Sequence, residues 1–183
     1  MKTKKYFTLV ISVFLILCLI FNGLLDRNNQ DLQKGIDEAL TLNLISIDEL
    51  IDQDTEKLKV FKLYFDETKF TDYWKKNYTK YDTQLRTIHA IAKSSSAYQG
   101  YDLKKLRYYL FDLYTKADAE TLTKTDLELL LKIFEQWQSF PWEQLDKSCM
   151  NGSQREYYNF KNDDGKVKDS IQKVLDLIPE DTL

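Results

Sequence analysis

The chain has 183 residues, with 26 basic and 29 acidic side chains and a net charge of −3. An acidic balance disfavours nucleic acid and anionic membrane surfaces as partners, because both attract a positive protein surface. Only five glycines and two prolines interrupt the chain, so we expect few turns, long helices and one folded domain.

Residues 6–25 form an uncharged run of bilayer length. Fourteen of these 20 residues are Leu, Ile, Val or Phe, and a helix of that length rises about 30 Å, the thickness of the hydrocarbon core. A basic tail, residues 1–5, precedes the run, and the positive-inside rule keeps such a tail in the cytoplasm. We predict a transmembrane signal anchor over residues 6–25, with the bulk of the chain extracytoplasmic.

Cleavage of this segment is the alternative. A cleaved signal peptide has a shorter apolar core followed by a small-x-small site. Phe21-Asn22-Gly23 is the nearest match, but its first position is bulky. An uncleaved anchor is therefore the preferred interpretation, and a secreted form released near Gly23 is the alternative.

Residues 26–45 are polar, with apolar side chains at helical spacing, and predict a helical stalk that continues the membrane helix outward. The next four residues, Ser46-Ile47-Asp48-Glu49, match a capping box, in which the hydroxyl and the carboxylate each accept a backbone N–H. This match predicts the start of a helix that runs to about Asp66 and of the extracytoplasmic bundle, residues 46–183. Whether the stalk and this helix form one rod is left open by the pattern.

A heptad pattern marks the next helix, expected from Phe70 to about Lys93. Its apolar and aromatic residues step by four and three, as in helices that pack at a shallow angle. A Ser-rich linker over residues 94–100 follows. The residues of this seam are Trp74, Tyr78, Tyr81, Leu85, Ile88 and Ala92.

Three further helices are predicted from caps and apolar stripes. Asp102 is placed to cap the first, Thr125 opens the second with a Thr-x-x-Glu capping box, and Pro179 ends the last. Their inward stripes are Leu103, Leu106, Leu110 and Leu113; Leu127, Leu130, Leu131 and Phe134; and Val167, Ile171, Val174, Leu175 and Ile178.

The remaining segment lies between the second and the last of these helices. Pro141 at a first-turn position, after Ser139 as the cap, indicates a short helix over 141–147, and residues 148–164 are expected to form a loop. No stretch alternates with period two for long enough to predict a strand with assurance. The predicted fold class is therefore all-α: a single N-terminal transmembrane helix followed by an antiparallel helical bundle of four to five helices.

No catalytic signature accompanies these helices. His89 is the only histidine, and the sequence has no Gly-x-Ser-x-Gly elbow, phosphate loop or Cys-x-x-Cys pair. The Asp163-Asp164-Gly165 turn fails as a calcium loop, because Phe160 and Ile171 would occupy ligand positions. We predict no catalytic residue, no metal site and no cofactor, and we expect Cys149 to be an unpaired thiol.

Aromatic residues are abundant, with 10 Phe, 12 Tyr and 3 Trp. Some lie off the inward stripes, since Tyr108 and Tyr109 cannot both face one core. Exposed Tyr and Trp favour interfaces, because each buries a large area and carries a polar group. The alternative is that these residues pack the ends of the bundle and anchor the loop. The candidate binding residues are Trp137, Phe140, Trp142, Tyr157, Tyr158 and Phe160.

The pattern as a whole favours a non-catalytic role at the cell membrane. Its richness in Lys, Asn, Tyr and Ile suggests an AT-rich bacterial gene. We expect a membrane-anchored, extracytoplasmic helical protein that acts as a binding or accessory module for another envelope protein. The alternatives are a secreted or anchored ligand-binding protein, and an envelope enzyme without a local sequence signature.

Overall fold

A computed structural model describes residues 2–93, 103–140 and 165–180, with side chains from Cys18 onward. Every regular element in these ranges is helical, as the composition predicts. The five described helices are α1 (Lys2–Leu63), α2 (Glu67–Ala92), α3 (Lys104–Asp118), α4 (Lys124–Gln138) and α5 (Lys166–Leu175). The chain divides into two compact units, Met1–Gly35 and Ile36–Leu183.

The first unit is the N-terminal part of α1. Its described apolar side chains are exposed, with Leu19 at 72% and Phe21 at 62%. Within the part of the chain that the structure describes, no helix is both long and apolar enough to cross a membrane. The side chains of residues 6–17 lie outside that description, so the anchor over residues 6–25 stays a prediction.

The helix start predicted at Ser46 is wrong, because α1 runs without a break from Lys2 to Leu63. No Gly or Pro separates the predicted stalk from the capping-box match. The polar side chains there are bonded within or across helices instead: Asn43 Nδ2 donates to the Ala39 carbonyl at 2.7 Å, and Ser46 Oγ accepts from Gln84 Nε2 at 3.2 Å. A Ser-x-x-Glu sequence therefore does not begin a helix where the preceding residues are already helical.

The second unit is a helical bundle with one core cluster. All six residues of the predicted α2 seam are buried, as are all the residues predicted to face inward from α3, α4 and α5. The helix α1 contributes Leu40, Leu44, Ile47, Ile51 and Leu58 to the same core. The heptad and stripe predictions are confirmed, because one face of each helix must leave water.

Neighbouring helices in this unit run antiparallel. Along α1 and α2, Phe61 lies 6.3 Å from Phe70 between ring centroids, whereas Ser46 meets Gln84. Along α2 and α3, Tyr78 stacks on Tyr114 at 4.6 Å, and Asp82 accepts from Arg107 nearer the start of α3. The order of these pairs reverses along each partner, as in an antiparallel bundle.

The last helix is held to α3 by a cation at its C-terminus. Lys105 Nζ donates to the Leu175 carbonyl at 3.0 Å, where the carbonyl end of a helix carries partial negative charge.

Helix α4 contacts both α1 and α2. Gln138 Nε2 on α4 donates to Asp52 Oδ1 on α1 at 2.8 Å. The Phe134 ring on α4 lies 5.5 Å from the Tyr81 ring on α2.

The cap predicted for α4 is displaced by two residues. Thr123, not Thr125, is the N-cap, with extended backbone at φ −115° and ψ 168°. Its hydroxyl accepts from the Asp126 N–H at 3.2 Å, and Asp126 Oδ2 accepts from the Thr123 N–H at 2.9 Å. Likewise α2 begins at Glu67, three residues before the predicted start, because Asp66 caps it by accepting from the Lys69 N–H at 3.0 Å. The N-cap of α3 is Leu103, which makes no side-chain capping bond, and not Asp102 as predicted. The predicted helix over 141–147 lies outside the described residues.

The displaced cap gives a direct test. Thr123→Ala is expected to lower the free energy of unfolding by about 1 kcal/mol, because it leaves an N-terminal N–H of α4 without its acceptor. The matched control is Thr125→Ala, an exposed threonine inside the same helix, whose effect should stay within about 0.5 kcal/mol. Urea unfolding of the full chain in a mild detergent measures both. An equal loss in the two variants would contradict the assigned cap.

Candidate binding surface

The residues predicted to form a binding site are only partly within the described chain. Trp137 lies on α4 and is 1% exposed, inside the core. Phe140 follows α4, packs partly buried against the core, and donates its N–H to the Trp137 carbonyl at 3.3 Å. Trp142, Tyr157, Tyr158 and Phe160 lie outside the described residues, so a site built from all six stays a prediction.

Many of the other aromatic residues build the interior. The Trp74 and Tyr81 rings stack at 5.7 Å, and the Tyr81 ring lies 5.5 Å from that of Phe134. Phe61 packs against Tyr73 at 5.3 Å near the end of the α1–α2 pair. Trp74, Tyr81 and Phe134 are thus part of the core, as their places on the inward stripes predict.

A buried carboxylate lies next to these aromatic residues. Asp54 on α1 is 5% exposed. Its Oδ2 accepts from the Tyr81 hydroxyl at 2.9 Å, and its Oδ1 lies 3.5 Å from Lys57 Nζ. The same ammonium lies 5.5 Å from the centre of the Tyr73 ring. The charge of Asp54 is therefore matched by neighbours of its own chain, as a buried charge requires.

The tyrosines around Asp54 are poor proton donors. Burial, followed by the nearby Asp54 carboxylate, raises the pKa of Tyr81 and of Tyr73 far above the usual value. Both phenols keep their protons at physiological pH. The cluster around Asp54 thus supports the packing of α1 on α2 and offers no exposed acid–base pair for chemistry.

Aromatic residues also form a surface where α2 meets α3, which we call the α2–α3 aromatic surface: Tyr78, Tyr108, Phe111 and Tyr114. Tyr78 is nearly buried and stacks on Tyr114, whereas Phe111 is 52% and Tyr108 43% exposed. The Phe111 ring lies 6.1 Å from Tyr78 and 6.4 Å from Tyr114. The rings of Tyr78 and Tyr114 support that of Phe111, which gives an apolar platform in contact with water.

An arginine pair borders this platform. Asp82 accepts from Arg107 Nε through Oδ1 and from Arg86 Nε through Oδ2, both at 2.7 Å. Partial burial works to raise the pKa of Asp82, but the hydrogen bonds from Arg107 and Arg86 outweigh it, and the pKa lies below its usual value. One carboxylate thus orients two guanidinium groups beside the aromatic residues.

A groove lies between α1 and α2. It encloses about 420 Å³ and is open to solvent. Its polar groups are bonded to near neighbours, since Lys80 Nζ donates to Asn77 at 3.0 Å and Thr83 Oγ1 to the Thr79 carbonyl at 2.8 Å. Nothing in it favours one class of ligand. The lining residues are Ser46, Leu50, Thr79, Lys80, Thr83 and Gln84.

Among the side chains that the structure describes, no group of three or more His, Cys, Asp or Glu could hold a metal ion. His89 is partly buried on α2, and its carbonyl accepts from the Lys93 N–H at 3.3 Å near the end of the helix.

No protein-family model matches this chain, and no curated protein or solved structure is similar to it. The case for the α2–α3 aromatic surface as a binding site therefore comes from its own geometry. Its signal in the sequence is that Tyr108 and Phe111 stand three residues apart on α3, off the leucine stripe. The support of Phe111 by Tyr78 depends on the register of two helices, which the sequence pattern does not specify.

Proposed function

We propose that this protein is a membrane-anchored, extracytoplasmic helical module that binds another protein of the cell envelope without catalysing a reaction. The proposed architecture is a transmembrane helix over residues 6–25 followed by an antiparallel bundle of four to five helices. The proposed location of the bundle outside the cytoplasm is supported by the bilayer-length apolar run and by the lysines before it.

The observation that carries the binding role is the α2–α3 aromatic surface. Tyr108 and Phe111 are large, exposed side chains on a bundle whose interior is packed by its own residues. Rigid aromatic residues on a preorganised helix pair lose little conformational freedom on binding, which is why such residues often dominate interface energies.

The proposed membrane topology is tested by reporter fusions in bacterial cells. Alkaline phosphatase fused to the C-terminus should be active, and a green fluorescent protein fused there should stay dark, because the first reporter works outside the cytoplasm and the second inside it. The control variant exchanges the flanking charges, with Lys2, Lys4 and Lys5 changed to Asn and Asp26 to Lys. It should shift the ratio toward fluorescence. Green fluorescence from the wild-type fusion would contradict the proposed extracytoplasmic location.

The binding role is tested by photo-crosslinking of the anchored chain in living cells. A benzophenone amino acid at Tyr108 should yield one discrete adduct with an envelope protein. The same group at Lys132, an exposed position on α4, should yield none or a different one. A chain that stays monomeric and uncrosslinked at both positions under all growth conditions would count against a partner-binding role.

A further inference from the structure

The structure points to the kind of partner that the α2–α3 aromatic surface takes. We propose that it binds a protein segment that presents a carboxylate next to an apolar side chain. This inference rests on the proposed function and adds the chemistry of the partner.

The two arginines that border the aromatic surface carry an excess of positive charge, although the whole chain is acidic. Arg86 and Arg107 share the single carboxylate of Asp82, which leaves one positive charge in excess. The next carboxylate along α3, Asp112, lies 3.0 Å from Lys116, and that ammonium also pairs with Asp126 at 3.0 Å. A net charge of −3 over the chain makes this positive border a distinct place for an anionic group to bind.

The arginines retain donors for a second carboxylate. Their described hydrogen bonds use Nε alone, whereas a guanidinium carries five N–H donors in a planar fork. The Arg86 side chain is 62% exposed and that of Arg107 27%. Asp82 holds both side chains in place, so an incoming carboxylate meets donors that are already oriented and forms charge-assisted hydrogen bonds.

The apolar part of the site lies one helical turn away. Arg107 and Phe111 are four residues apart on α3, and such residues are neighbours about 5–6 Å apart between Cβ atoms. That separation matches the distance between a Glu or Asp side chain and an apolar neighbour in one peptide segment. A basic segment would be repelled by the arginines, and a purely apolar one would leave their donors unused.

The test uses the full chain in a mild detergent and short fluorescent peptides as probes. One peptide carries Glu and Leu four residues apart on a helix, and its analogue carries Gln in place of Glu. Anisotropy titration up to about 1 mM should show the Glu peptide binding at least tenfold more tightly than the Gln peptide. Arg107→Gln should remove about that tenfold preference, because a charge-assisted pair is lost.

Two matched variants separate the site from general effects. Phe111→Ala should weaken both peptides to a similar degree, and Lys132→Gln, which removes an exposed charge on α4, should change neither. Far-ultraviolet circular dichroism should be the same for all three variants. Equal binding of the two peptides, no binding of either, or an unchanged preference in Arg107→Gln would each overturn the inference. The crosslink from Tyr108 in cells tests the proposed function independently of these peptide results.

Discussion

Replacing Trp74 by alanine is expected to lower the free energy of unfolding by about 3–5 kcal/mol. Trp74 is the first residue of the α2 seam, is fully buried and stacks on Tyr81 at 5.7 Å. Its loss removes a large apolar area from the core and leaves a cavity between α1 and α2 that helices packed at native density do not collapse to fill. Urea unfolding of the full chain in detergent, followed by circular dichroism, measures the change.

Two variants show whether the loss comes from packing. In the described structure the Trp74 Nε1 is buried without a hydrogen-bond partner. Trp74→Phe removes that N–H along with part of the ring, so the gain of about 1–3 kcal/mol from losing an unpaired polar group offsets much of the lost burial. We expect it to cost less than half of the alanine change. Phe111→Ala, on the surface, should cost least of the three. A loss from Trp74→Phe as large as that from Trp74→Ala would contradict the assigned core.

The core could be predicted because it depends on period alone. Spacing by four and three places Trp74, Tyr81 and Ile88 on one side of any regular helix, whatever that helix packs against. The same reasoning identified the stripes of α3, α4 and α5. Burial of one face is imposed by water on each helix separately, so the prediction does not require knowledge of the partner helix.

Helix ends were less predictable, because several residues offer the same cap. Thr123 and Thr125 both precede a carboxylate three residues later, Asp126 or Glu128. The choice depends on which threonine has extended backbone, and Leu122 is decisive because its burial in the core fixes the path of the chain into α4. At Ser46 the motif was present but the preceding turn was already helical.

The candidate surfaces were the least predictable, since they join residues from different helices. The exposed Tyr108 and Phe111 could be inferred from their position off the α3 stripe. The support from Tyr78 and the pairing of Asp82 with Arg107 depend on the α2–α3 register. The buried Asp54 was missed because a carboxylate is normally exposed, and its burial depends on a hydroxyl that comes from a residue 27 positions away.

Alkaline pH is expected to destabilise the protein steeply above pH 10. Burial is the main cause that raises the pKa of Tyr73, Tyr81 and Tyr109 far above the usual value. A group with a higher pKa in the folded state contributes stability that is complete below the unfolded pKa, about 10 for tyrosine, and is lost as the pH rises beyond it. Each tyrosine then costs about 1 kcal/mol between pH 10 and 11, or about 3 kcal/mol together.

Two phenylalanine variants divide this effect. Tyr81→Phe leaves Asp54 without its hydroxyl donor, so at pH 8 it should lower the free energy of unfolding by about 1–3 kcal/mol. The Tyr109 hydroxyl is buried with no hydrogen-bond partner within the described residues, so Tyr109→Phe should be neutral or stabilising at pH 8. Between pH 10 and 11 each variant should lose about 1 kcal/mol less than the wild type.

The measurement is urea unfolding at pH 8, 10 and 11, with absorbance at about 295 nm to follow phenolate formation. Ionisation of the three buried phenols should coincide with loss of helical circular dichroism, because these groups release their protons only when the core opens. Complete ionisation of all 12 tyrosines in a chain that is still helical at pH 11 would show that Tyr81 and Tyr109 reach solvent in the folded state. The difference between the unfolding free energies of Tyr81→Phe and Tyr109→Phe at pH 8 then shows what stabilises each buried hydroxyl. Tyr81 is held by a carboxylate, whereas Tyr109 is held by apolar packing alone.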